Sequence, residues 1–135
     1  MKEISDYTDI FNSLCKEIGA KLLSKVPKNR NLHIYNEVVC DVIKKKPSEP
    51  ISIFVLKVWA NDDYRNSILE SNEDFFTNND HSELAGDAQD SADIIGQVKE
   101  CWNELDNDLK FYIKEAFKTL VNLCDVYVEK KDDLN

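Results

Sequence analysis

Glycine and proline are scarce, with three of each in 135 residues. A β-protein built on tight turns needs many more, so strand-rich folds are disfavoured. Long apolar runs are also missing. The longest, Ile51 to Ala60, is broken by Ser52 and Lys57 and falls far short of a membrane span. Met1-Lys2-Glu3-Ile4 opens directly onto an amphipathic pattern without the charged-then-apolar order of a secretion signal, and no Asn-x-Ser/Thr acceptor occurs. The expectation is a cytoplasmic chain without a membrane partner. No repeat of fixed period is found. The four cysteines are widely scattered, and Cys15, Cys101 and Cys124 fall on or beside apolar stripes. Together with Cys40 they read as reduced residues and not as a disulfide or metal framework. Gly19, Gly86 and Gly96 stand singly, so no loop cradles phosphate. Gly19 and Gly96 read instead as places where a neighbouring helix approaches closely.

The sequence is rich in helical periodicity. Its clearest stretch carries Leu109, Tyr112, Ile113, Ala116, Phe117, Leu120, Val121, Cys124, Tyr127 and Val128 at three-and-four spacing on one face. So long a stripe must be covered, and the earlier segments are expected to pack on it. A preceding helix is predicted through Ile94, Ile95, Val98, Trp102 and Leu105, capped by Ser91 or Asp93 and ended at Asp106-Asn107-Asp108. The first helix is predicted over Ser5 to Lys25, capped by Ser5 or Asp6 and stopped at Val26-Pro27. A second, over Asn31 to Lys45, carries Ile34, Tyr35, Val38, Val39, Val42 and Ile43; its β-branched residues leave a strand as the alternative. Lys44-Lys45-Lys46 closes it, as a complement to the helix dipole or as a contact for phosphate or acids. Ser48-Glu49-Pro50 reads as a helix start with Ser48 as cap. Ile51 to Ala60 fits helix or strand, and helix is preferred because a lone strand has nothing to pair with. A short helix with Tyr64, Ile68 and Leu69 follows the cap at Asn61-Asp62-Asp63. The expected architecture is all-α: one domain over residues 1–135, a helical bundle of five or six helices. It has a long acidic loop at 77–93 and a charged tail at 129–135 that frays.

Charge is one-sided and local. The chain has 26 acidic and 17 basic side chains, a net −9, and residues 60–109 alone carry fourteen Asp and Glu against two Lys and Arg. Such a stretch disfavours direct nucleic-acid binding, which sets basic groups against phosphate, and favours a basic protein partner. The expected contacts are Asp80, Glu83, Asp87, Asp90 and Asp93, with Phe75 and Phe76 either anchoring a partner or plugging the core locally. Asp87, Asp90 and Asp93 recur every three residues, but a calcium loop needs alternating ligands, a central glycine and a closing glutamate. No metal or cofactor is expected. His33 and His81 have no cysteine or histidine at ligand spacing, and no nucleophile–base signature is present. The leading reading is a non-enzymatic protein–protein interaction module that binds a basic partner. The alternatives are an acidic nucleic-acid mimic that blocks a DNA-binding protein, and an enzyme whose site forms around His33 or a cysteine only in space. Exposed Trp59, Phe75 and Phe76 would also suit a homodimer.

Four segments occur in an order that resembles a group of small, uncharacterised helical proteins of large cytoplasmic DNA viruses, the giant viruses and their relatives. They are Pro50 to Leu56, Ser71-Asn72-Glu73-Asp74-Phe75-Phe76, Thr77-Asn78-Asn79-Asp80, and Val98 to Leu123. The last, with Trp102, Leu105, Lys110, Tyr112, Ile113 and Leu120, matches best. The resemblance spans about half the chain and departs after Leu84, where the loop is longer and Ala85-Gly86 replaces the group's proline-glycine. It implies a viral accessory or virion-associated protein, in host cytoplasm or virion, and it brings no active site to transfer.

Overall fold

The apolar stripe at 109–128 lies on α5 (Asn107–Asp133), the longest helix. The computed structural model describes residues 4–72, 98–99 and 101–133. Against α5 pack α1 (Ile4–Lys25), α4 (Asp62–Leu69) and the π-helical turn Val55–Trp59 that continues α3 (Glu49–Phe54). The remaining helix, α2 (Arg30–Lys45), pairs with α1 and α3. Among the described residues the result is an all-helical bundle with five α-helices and no strand. Both segments with a strand alternative, 31–45 and 51–60, are therefore helical. No helix among the described residues is long and apolar enough to cross a membrane.

The stripe residues form the centre of one continuous core. Ile113, Phe117, Leu120, Val121 and Cys124 of α5 are fully buried with Ile18 and Leu22 of α1, Leu32 of α2 and Ile51 of α3. The Phe54 ring stands edge-on to both Phe11 and Phe117, with centroids 5.5 and 6.3 Å away, so one aromatic side chain joins α1, α3 and α5. The helices α1 and α5 run antiparallel: Lys25, at the end of α1, reaches Asp106 before α5, and Lys21 lies over the Tyr112 ring one turn further in.

Local chemistry sets the helix ends, and here several sequence expectations are corrected. Helical residues already begin at Ile4, so Ser5 and Asp6 lie inside the first turn of α1 and do not cap it. Asn29 caps α2, its Oδ1 accepting from the Leu32 amide at 3.0 Å. Ser48 does not cap α3: its backbone is already α-helical, so its hydroxyl makes no capping bond. Asn61 does cap α4, accepting from the Tyr64 amide. Of the tail expected at 129–135, residues 129–133 are helical. The helix continues through them, with Lys131 over the buried Tyr127 ring and Lys130 and Lys131 at the helix end that favours cations. Of the helix expected at 94–105, Val98, Lys99 and Cys101 are helical and Trp102–Glu104 is a 3₁₀ turn. Residues 94–97 and 100 of it, and the acidic loop at 77–93, lie outside the described residues.

Gly19 does mark a close helix approach. It is buried in α1, and a Cβ there would overlap Asn36 Oδ1 on α2. The obstacle is the tip of a side chain and not backbone, so two opposing effects meet. Alanine favours helix over glycine by about 1 kcal/mol, but only if Asn36 yields.

Two stability measurements check this packing. Phe54→Ala is expected to lower unfolding free energy by about 3–5 kcal/mol, whereas Phe111→Ala, at a side chain 66% exposed, stays within about 0.5 kcal/mol of wild type. In a double-mutant cycle, Gly19→Ala is expected to be near neutral in the native background. It should stabilise by about 1 kcal/mol once Asn36→Ala has cleared the space. Equal effects in both backgrounds would show that the two side chains do not compete.

Candidate functional site

The residues expected to meet a partner, Phe75, Phe76, Asp80, Glu83, Asp87, Asp90 and Asp93, all lie outside the described residues. So does His81. The described part of the acidic stretch supplies six carboxylates, Asp62, Asp63, Glu70, Glu104, Asp106 and Asp108, and every one is exposed. Helix α4 fixes the first three. Asp62 and Asp63 occupy its first turn, where the dipole favours negative charge, and Glu70 closes its other end. There Ser71 takes a left-handed backbone, φ 56°, and its amide and that of Asn72 return to the Ile68 and Ser67 carbonyls.

Arg65 is turned inward on this acidic surface. Its guanidinium bonds the Trp59 carbonyl at 2.9 Å and Asp62 at 2.7 Å and sits 5.3 Å from the Trp59 ring centroid. The Trp59 indole N–H in turn donates to Asp125 on α5. Trp59 is thus half-buried and held. The most exposed large apolar side chain nearby is Leu56, at 76%.

A shallow cleft of about 280 Å³ lies where the end of α1 meets the start of α5, lined by Lys21, Ser24, Lys25, Asp106, Asp108 and Tyr112 among others. Asp106 shapes it twice. Its Oδ1 caps α5 through the Leu109 amide at 2.8 Å, and its Oδ2 pairs with Lys25 at 2.6 Å. The Lys25 hydrogen bond, followed by the Leu109 amide, holds the Asp106 carboxyl below its ordinary pKa, and the same contact raises that of Lys25. No partner meets hydrogen-bond geometry at the Tyr112 hydroxyl; burial, then the neighbouring Glu17 carboxylate, keeps the phenol protonated beyond the usual tyrosine range. The lining pairs two cations with two anions, an arrangement that fixes helix ends without selecting a ligand of either sign.

Two of the nucleophile candidates, Cys15 and Cys124, are buried in the core. Burial raises the Cys15 thiol to about 12 and pushes Cys124 higher still, far from the thiolate range that catalysis uses. The buried Cys101 thiol accepts from Asn29 Nδ2 at 3.5 Å, which ties the 98–105 segment to the start of α2. Cys40 is exposed. His33 is exposed on α2, its Nε2 donating to the Pro27 carbonyl at 2.6 Å, so it closes a turn and faces no carboxylate hydrogen-bond partner there. Among the described residues, no group of His, Cys, Asp or Glu is arranged to hold a metal ion.

In comparison with known proteins, no family model, curated relative or solved structure matches the chain. The sequence reading did not pick out the Trp59–Arg65–Asp125 network or the double role of Asp106. The second had a visible signal, since an aspartate three residues before the first stripe residue, Leu109, is N-cap spacing. The first had none, because Trp59 and Asp125 are far apart in the chain and meet only through the packing of the π turn on α5.

The Asp106 pair has a defined pH signature. A lowered carboxyl pKa contributes stability above its ordinary value, about 3.9, and loses it as pH falls through the lowered one. The raised Lys25 pKa contributes below the ordinary lysine value and is lost as pH rises through the raised one. Asn keeps the capping oxygen but does not titrate. Asp106→Asn should therefore flatten the fall in melting temperature between about pH 5 and pH 2, while Asp106→Ala should also lower it at neutral pH. An acid limb as steep in Asp106→Asn as in wild type would contradict the assignment.

Proposed function

We propose that this chain is a non-enzymatic protein–protein interaction module whose acidic surface binds a basic partner. The observation that carries the reading is the placement of charge. All six described carboxylates between residues 60 and 109 are exposed, and Arg65, one of the two basic residues there, is engaged by Asp62 and Trp59. An exposed acidic field steers an oppositely charged partner and disfavours nucleic acid. The buried, protonated thiols of Cys15 and Cys124 and the turn-closing role of His33 favour this over a catalytic role. The seven residues Phe75, Phe76, Asp80, Glu83, Asp87, Asp90 and Asp93 extend the same acidic stretch and belong to the proposed contact set. The viral resemblance adds a setting, that of an accessory or virion-associated protein in host cytoplasm or virion.

The test is affinity capture of the tagged chain from its own cellular setting at low and high salt, with mass spectrometry of the retained proteins. The expected result is a stoichiometric basic protein that high salt releases. With that partner purified, Asp62→Asn, Asp63→Asn and Glu70→Gln combined should weaken binding about tenfold at low salt, chiefly through the association rate, and lower stability by only about 1 kcal/mol through the first turn of α4 and the Arg65–Asp62 pair. A partner retained equally at high salt, or one indifferent to the triple variant and to neutralising the five acids from Asp80 to Asp93, would overturn the acidic-surface reading.

A further inference from the structure

We draw no further inference here: the strongest candidate, the cleft between the end of α1 and the start of α5, rests on a helix N-terminus, its lysines and aspartates offset each other, and nothing in the structure points to a ligand for it.

Discussion

Ile113, Phe117, Leu120, Val121 and Cys124 share one face of α5 and are withdrawn from water, with Ile18 and Leu22 of the antiparallel α1 buried alongside. Each fully buried large aliphatic or aromatic side chain of this kind contributes about 1.5–3 kcal/mol. Helix propensity alone cannot do the same for α5, because isolated helices are marginal in water and gain most of their stability from a packed face. The other elements are arranged by that requirement. Helix α3 supplies Phe54, which stands against both Phe11 and Phe117; α2 closes the outside of α1; α4 covers a further side of α5.

The polar groups then fix where each helix starts and how it is held. Asn29 both caps α2 and donates to Cys101, and Asp106 both caps α5 and grips Lys25. The π turn at Val55–Trp59 belongs to the same economy of position. Its wider turn slows the rotation of successive side chains, so Val55, Val58 and Trp59 remain on the side that carries Phe54. Trp59 then reaches Asp125, and Arg65 closes over it. Two buried polar groups among the described residues are not fully matched: the Tyr112 hydroxyl, and Asn12, which donates Nδ2 to the Pro47 carbonyl at 2.7 Å while its Oδ1 has no partner.

The helices were legible because their signal is periodic and local. The stripe from Leu109 to Val128 named nearly all the α5 core in advance, and the proline after Val26 marked the end of α1 near Lys25. Helix ends were less legible. Ser48 has the right chemistry for a cap but the wrong backbone, and the tail after Val128 looks too charged to be helical until Lys131 is seen lying on Tyr127. The π turn could not be read at all, since the spacing of Ile51, Phe54, Val55, Val58 and Trp59 suits an ordinary helix equally well. At the candidate site, the local excess of acid was plain from composition. Which carboxylates are exposed, and that Arg65 is held against Trp59, depends on tertiary contacts that no spacing encodes.

Residue-resolved native-state hydrogen exchange is the most direct measurement of the dependence of this bundle on the α1–α5 face. If that face holds the fold together, amides from Ile113 to Cys124 and from Phe11 to Leu22 exchange only through global unfolding, with the same protection free energy in both helices. Exchange of the central α5 amides through a local opening of distinctly lower free energy, with α1 still protected, would contradict it.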